Sequence, residues 1–326
     1  MRELAIIEAP SVLGLRPSWV QELPTALLDA GLPAGLDAIR AGRVEPPVYD
    51  PTRDADTQVL NPHGIVDYSA RLADAVGDVL DAGRFPVVLG GDCSILLGNL
   101  LALRRRGQHP RLLFLDGHTD FYQPSAEPYG EAASMDLALA TGRGPRLLAD
   151  LEGRGPLVRD EDVVALGFRD TDESEQAGMQ PLPPGLHTLD LDGVRASGAA
   201  TAARRAVDRL TAGTRTAGTR TGGTGTATGT GNGAGFWVHL DVDVLDDAIM
   251  PAVDYRLPGG LSWEELETVL RTALGDPGAV GLDVTIFNPR LDPAGTIAGR
   301  LAECLRRGLS ARTERRPGEG DDLDPA

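Results

Sequence analysis

Three short clusters of acidic and metal-binding residues dominate the chemistry that this chain of 326 residues could perform. They are Gly90-Gly91-Asp92-Cys93-Ser94, Asp116-Gly117-His118-Thr119-Asp120 and Asp241-Val242-Asp243-Val244-Leu245-Asp246. Because side chains two residues apart on extended backbone point to one side, the acidic and imidazole groups of the second and third clusters should converge. Four carboxylates and an imidazole at one point would repel each other unless divalent cations neutralised them. The clusters therefore predict a metal site.

Alternating apolar strands and amphipathic helices should position these clusters. Apolar runs of strand length occupy residues 4–7, 86–90, 112–116, 163–167, 236–241 and 280–284. Helical patterns occupy residues 66–82, 94–106, 262–273 and 296–309. This alternation predicts one α/β domain with a mostly parallel sheet and helices on both faces. All three clusters follow predicted strands, and ligands of such sheets bind beyond the carboxyl ends of the strands.

In order and position, the three clusters resemble the motifs of the ureohydrolase superfamily, which contains arginase, agmatinase and formimidoylglutamase. In that family the clusters read Gly-Gly-Asp-His-Ser, Asp-Ala-His-x-Asp and Asp-x-Asp-x-x-Asp. The resemblance extends from Ile6 to Pro289. It implies a single-domain, three-layer arginase-like fold over residues 1–310, a small-molecule substrate and a homo-oligomer, either a trimer or a hexamer.

The resemblance also implies two divalent ions, Mn²⁺ in this family, and a set of ligands for them. The ligands would be Asp116 and Asp241 as bridges, Cys93 and Asp120 on one ion, and His118 and Asp243 on the other. As the catalytic residue, Asp120 would orient the metal-bridging hydroxide. Asp246 is interpreted as a structural residue of the turn after the strand.

Cys93 stands where the family has histidine. A thiolate ligand would leave the cluster more negative than an imidazole would, and it would favour Zn²⁺ or iron over Mn²⁺. The alternative is that Cys93 stays a protonated, buried residue and that only one ion binds well. His239, two residues before Asp241, is interpreted as a buried, hydrogen-bonded structural histidine.

Two further departures concern the substrate. The family's proton-relay histidine is Ala133 here, and the glutamate that holds a guanidinium is Ile286. A guanidinium without its counter-charge in a dry pocket is costly, so hydrolysis of arginine is not expected. Candidate substrate-binding residues are Glu131, Ser134, Asp136, Tyr255 and Arg256, for which solvated loop positions are the alternative.

These observations predict a metal-dependent hydrolase of a linear C–N bond in an amidine-, hydroxyguanidine- or amide-like small molecule, acting through a metal-bridging hydroxide. The alternative is a catalytically weak protein kept as a metal-binding or oligomer-forming scaffold. The loss of the relay histidine and of the guanidinium-binding glutamate favours that alternative.

Composition limits the partners of the chain. The formal net charge of −17 opposes binding to nucleic acid. No apolar run approaches the roughly 20 residues of a membrane helix, and the start of the chain does not resemble a signal peptide, so a cytoplasmic protein is expected. The Thr/Gly-rich segment at about residues 211–235 predicts a flexible insertion, and residues 311–326 predict a disordered tail.

Overall fold

The computed structural model of the protein describes residues 2–212 and 235–313. Within these residues, eight strands form one parallel sheet in the order β2-β1-β3-β8-β7-β4-β5-β6. The strands are β1 Leu4–Glu8, β2 Ile39–Arg43, β3 Phe85–Leu89, β4 Arg111–Leu115, β5 Val163–Leu166, β6 His187–Leu189, β7 Phe236–Asp241 and β8 Ala279–Thr285. The predicted parallel sheet is confirmed. The edge strands β2 and β6 carry no continuous apolar run, since their outer sides are partly exposed, and the sequence pattern did not reveal them.

The described part of the chain contains ten α-helices, and all except α6 pack on the sheet. They are α1 Leu23–Asp29, α2 Pro62–Asp81, α3 Ile95–Arg105, α4 Asp136–Ala140, α5 Arg146–Ala149, α6 Thr171–Ala177, α7 Leu191–Ser197, α8 Ala199–Thr211, α9 Trp263–Leu274 and α10 Thr296–Thr313. Helices α2 to α5 pack on one face, and α1 with α7 to α10 pack on the other. Because successive strand residues point to opposite faces, each of the six inner strands contributes to both apolar cores, whereas the edge strands β2 and β6 each contribute to one. None of these helices is both long and apolar enough to cross a membrane.

The helix ends follow local chemistry. Helix α9 begins with a capping box, in which Ser262 and Glu265 exchange side-chain to backbone hydrogen bonds. Helix α10 runs through Thr313, so residues 311–313 are helical rather than part of a disordered tail. Arg312 fixes this last turn, because its guanidinium donates to the Leu274 carbonyl at 2.7 Å. The rest of the predicted tail, and residues 213–234 of the predicted insertion, lie outside the described residues.

The sheet order brings the three clusters to one edge. Strands β3, β8, β7 and β4 are consecutive neighbours, and the clusters follow β3, β4 and β7. Their carboxyl ends therefore open onto the same side of the sheet, with β8 between the first and third clusters. Asp241, the last residue of β7, pairs in register with Thr285 of β8.

Candidate metal centre and active site

The loop after β3 is held tightly against the start of the chain. A Cβ on Gly91 would lie 1.7 Å from the Ser11 carbonyl oxygen, so only glycine fits there. The Asp92 carboxylate accepts hydrogen bonds from Ser11 Oγ at 2.7 Å and from Ser94 N at 2.9 Å. This loop directs Cys93, 1% exposed, toward β7, where its Sγ donates to Asp241 Oδ2 at 3.0 Å.

The second and third clusters lock onto each other through backbone amides. Gly117 N donates to Asp243 Oδ1 at 3.0 Å, and Asp243 N donates to Asp241 Oδ1 at 2.8 Å. His118 Nδ1 lies 2.9 Å from Asp243 Oδ2. His118 N donates to Asp116 Oδ1 at 2.6 Å. Strand-end alternation and these amide contacts turn the side chains toward one another.

The six predicted ligands come together in the structure. Two groups of three have ligand atoms within 4.8 Å of one another, namely Cys93 with Asp116 and Asp120, and Asp116 with His118 and Asp243. Asp116 belongs to both groups. Asp241 joins them through its contacts with Cys93 and Asp243.

This donor set fits divalent metal ions. The buried Asp116 Oδ2 has no hydrogen-bond partner. Four carboxylates meet here, those of Asp116, Asp120, Asp241 and Asp243. Among residues 2–212 and 235–313, His118 is the one basic side chain that forms an ion pair with any of them, and it contacts only Asp116 and Asp243. Carboxylate oxygens suit Mn²⁺, and imidazole and thiolate donors also suit Zn²⁺ and iron.

In the absence of cations, burial shifts the pKa values of the carboxyl groups in this cluster. Desolvation, with repulsion from Asp243, raises the pKa of Asp116 to about 7. Desolvation also raises the pKa values of Asp120 and Asp241 well above their ordinary range. Burial opposes the ionisation of Asp243 as well, but the neighbouring His118 prevails and lowers the pKa of Asp243. A bound cation would favour the charged form of every carboxylate.

These pKa values predict how the metal-free protein responds to pH. The folded Asp116 keeps its proton up to its pKa of about 7, whereas the unfolded residue loses it near 3.8, so the folded state binds more protons between these values. Stability should therefore fall as pH rises from about 4 to 7. We expect the melting temperature of metal-free protein to fall from pH 5 to pH 7, with a smaller fall in Asp116→Asn. Thermal melts at several pH values, with and without chelator, measure this effect. The same dependence of melting temperature on pH in the wild type and in Asp116→Asn would contradict it.

The centre forms the floor of a cavity of about 190 Å³. Cys93, His118, Asp120, Asp241 and Asp243 contribute to this floor. The walls carry aromatic and apolar side chains, including Tyr122, Tyr129, Ala133, Tyr255 and Ile286. A cavity of this size admits a small molecule beside the metal ligands.

Three of the predicted substrate-binding residues, Glu131, Ser134 and Tyr255, line the cavity. The buried Glu131 carboxylate accepts hydrogen bonds from Arg16 N at 2.7 Å, from Arg16 Nε at 3.2 Å and from Tyr255 Oη at 2.5 Å. Desolvation, together with this contact to Glu131, raises the pKa of Tyr255. The charge of Glu131 is thus already balanced by the Arg16 guanidinium.

The structure does not bring Asp136 and Arg256 to the cavity, contrary to the prediction from sequence. Arg256 is 47% exposed and pairs with Asp247 at 3.2 Å, because its loop turns the side chain outward. Asp136 begins α4 with its side chain fully buried beside Cys93 and His239, and it does not line the cavity.

The segment that follows β5 also supports the site, although no motif in the sequence pointed to it. The Arg169 guanidinium donates to the carbonyls of Asp243 at 3.0 Å, Leu245 at 3.1 Å and Leu257 at 2.7 Å, and so ties down the loop after β7. The Asp170 carboxylate accepts hydrogen bonds from Thr119 N and Oγ1 at 3.0 and 2.9 Å. Charged residues directly after a buried strand were the available signal.

Comparisons with known proteins agree with this geometry. The profile of the arginase family matches residues 27–219 and 225–308. An arginase of Staphylococcus aureus (strain MSSA476) is 27% identical over 298 residues, covering 89% of this chain and 91% of the relative. The structure of arginase from Bacillus caldovelox has a TM-score of 0.77 at 24% identity, covering 95% of this chain and 98% of that chain. Formimidoylglutamase from Bacillus subtilis has a TM-score of 0.68 at 16% identity, covering 96% and 88%.

The two structural likenesses show that the fold is that of arginase. The match to the family profile spans most of the chain and shows family membership in addition to the fold. The chain therefore belongs to the arginase family, whose enzymes are hydrolases that act on C–N bonds.

Proposed function

We propose that this protein hydrolyses a linear C–N bond of a small amidine-, hydroxyguanidine- or amide-like molecule other than arginine. One observation carries the proposal. The cluster of metal-ligand side chains forms the floor of a cavity whose wall at Ala133 and Ile286 is apolar. The floor can support hydrolysis, while this part of the wall offers no charge to a guanidinium.

The centre would hold two divalent ions, Mn²⁺ by family resemblance, with Zn²⁺ or iron as alternatives because of Cys93. Asp116 and Asp241 are the proposed bridging ligands. When bound, such ions lower the pKa of water and polarise the scissile group. A homo-oligomer, either a trimer or a hexamer, is proposed from the same resemblance.

Asp120 is the proposed catalytic residue. It lines the cavity, is 8% exposed and has a backbone φ of 44°, a left-handed conformation that aims its carboxylate differently from an ordinary strand end. From this position it can orient the attacking water and accept its proton. Ala138 N donates to the Asp120 carbonyl at 3.3 Å and supports this backbone.

The walls select against arginine in two ways. Ile286 occupies the position at which the family resemblance places a guanidinium-binding carboxylate. Glu131, the cavity-lining residue proposed as a replacement, is neutralised by Arg16 and hydrogen-bonded to Tyr255. Of the other carboxylates that line the cavity, Glu127 accepts hydrogen bonds from backbone amides, Asp170 accepts them from Thr119, and Glu173 is exposed. Burial of a guanidinium against Ile286, away from a free carboxylate, costs several kcal/mol, or about two orders of magnitude in binding for every 3 kcal/mol.

A substrate panel tests the proposal. We expect slow or undetectable release of urea from arginine and agmatine, and faster hydrolysis of at least one small amidine, hydroxyguanidine or amide. Urea and ammonia assays on metal-loaded protein measure both, and Asp120→Asn is the control for reaction at this centre. Arginine turnover in the range of typical enzymes, with kcat/KM above about 10⁴ M⁻¹s⁻¹, would overturn the proposed substrate class.

The alternative is a metal-binding scaffold with little activity. Ala133 favours this alternative, because alanine at the position of the family's relay histidine cannot transfer a proton. Full metal occupancy without turnover of any panel member would support this alternative. Turnover abolished by Asp120→Asn would exclude it.

A further inference from the structure

A second cluster of metal-ligand side chains lies behind the cavity floor. Cys93, Asp136 and His239 come from the loop after β3, the start of α4 and the middle of β7. Their ligand atoms lie within 4.8 Å of one another, and Asp136 and His239 are both 0% exposed. The cluster shares Cys93 with the centre described above, but Asp136 and His239 belong to no ligand set assigned there.

Several atoms of this cluster lack partners. His239 Nε2 and both carboxylate oxygens of Asp136 are buried and form no hydrogen bond. Asp136 Oδ2 lies 3.9 Å from His239 Nε2, too far for a hydrogen bond between them. Buried polar atoms in native proteins are nearly always satisfied, so these orphan atoms indicate a missing partner between them.

The opposite side of the His239 ring is fixed. His239 Nδ1 lies 2.5 Å from Asp283 Oδ2, and Asn99 Nδ2 donates to Asp283 Oδ1 at 3.1 Å. Trp237 Nε1 donates to the same Asp283 oxygen. The ring also stacks on Phe114 with centroids 4.8 Å apart. A carboxylate that binds one nitrogen of a histidine and leaves the other free is the usual support of a metal-binding histidine.

We propose that Cys93, Asp136 and His239 bind an additional divalent ion of the Zn²⁺ class. One sulfur, one nitrogen and one oxygen donor suit Zn²⁺. Around a tetrahedral ion with bonds of about 2.0 to 2.2 Å, oxygen and nitrogen ligands stand about 3.3 Å apart. The observed 3.9 Å between Asp136 Oδ2 and His239 Nε2 needs only a small closing movement.

Charge balance also favours an additional ion. Two divalent ions would balance the four carboxylates of the cavity floor, namely Asp116, Asp120, Asp241 and Asp243. The carboxylate of Asp136 and the thiolate of Cys93 would then remain as two buried, unbalanced charges. An ion between them would offset both charges. The buried Asp283 carboxylate does not depend on this ion, because it is held by the Asn99 amide, the Trp237 indole and the His239 ring.

Titration with Co²⁺, which replaces Zn²⁺ and reports thiolate ligation by a charge-transfer band, tests this site in the metal-free full-length protein. We expect the wild type to develop the band. His239→Gln and Asp136→Asn should each weaken the Co²⁺ affinity of the band-forming site by more than about tenfold, since even supporting partners of ligands are worth 10- to 100-fold. After loading with Zn²⁺ and gel filtration, each variant should also retain one Zn²⁺ fewer per chain than the wild type. Asp243→Asn should keep the band, and the exposed His63→Gln should match the wild type.

No band in the wild type would overturn the site without any substitution. A band with the same midpoint in His239→Gln and Asp136→Asn would also overturn it, because Cys93 would then serve only the cavity floor. Circular dichroism of the metal-free variants verifies that both fold before the comparison. These measurements count metal ions and identify their ligands without using enzyme activity. The additional site can therefore be disproved while the proposed hydrolysis still stands.

Discussion

Asp241→Asn should remove both of the ions proposed for the cavity floor and lower turnover by about 10³-fold or more, well beyond the 10- to 100-fold cost of losing a supporting residue. Asp241 is buried at the end of β7, and its two oxygens contact Cys93 and Asp243. The amide keeps the shape of the side chain but loses the negative charge that a bridging ligand must supply. Elemental analysis after gel filtration and steady-state kinetics measure the two effects.

Matched variants separate a bridge from an ordinary ligand. His118→Asn should weaken one ion selectively, because His118 contacts only the Asp116 and Asp243 side of the cluster. Asp246→Asn is the control, since the Asp246 carboxylate accepts a hydrogen bond from Ala248 N at 2.9 Å within its own turn. An unchanged ion count in Asp241→Asn would show that this residue is not a bridge.

Ile286→Glu should raise kcat/KM for arginine above that of Ile286→Gln by about 10- to 100-fold. The two variants differ by one charge, and a charged hydrogen bond is worth about 1.5–3 kcal/mol. Ile286 lines the cavity, and its N–H donates to the Gly91 carbonyl at 2.8 Å, so the fold holds the backbone of this position in place. Urea release from arginine measures the effect.

The conformation of Ile286 supports this design. Its φ of 74° is unusual for a β-branched residue and costs about 1–3 kcal/mol. The unbranched Gln variant should therefore not lose backbone stability, while the buried charge of the Glu variant should lower its melting temperature. Equal arginine turnover in the two variants would show that a carboxylate at this position does not reach the substrate.

Local sequence patterns predicted much of the fold. The buried strands β3, β4, β5 and β7 appear as continuous apolar runs because helices cover both faces of the sheet. The edge strands β2 and β6 lack that double burial, and their sequences do not differ from loops. Helix α10 extends past its predicted end because Arg312 contacts the Leu274 carbonyl, which lies far away in sequence.

The sequence by itself determined which side chains could meet at the metal centre. Asp116, His118 and Asp120 share one spacing, as do Asp241 and Asp243, and both runs follow buried strands, so their spacing was sufficient to nominate them. Asp120, however, reaches the site with a left-handed φ of 44° and not by strand alternation. A parallel sheet then places all strand ends of this kind at one edge. Two long-range features complete the convergence, namely the neighbouring positions of β4 and β7 in the sheet and the contact of Gly117 N with the Asp243 carboxylate.

Only the tertiary structure decided what surrounds that centre. Glu131 is balanced by Arg16, 115 residues away, and Asp136 turns inward toward His239 instead of toward the cavity. Asp283 aims the free nitrogen of His239 at Cys93 and Asp136 through a contact across neighbouring strands. The physical reason is that the alternation of side chains along a strand fixes the face on which each one emerges. The partner that a side chain meets there depends on packing between segments that are distant in sequence.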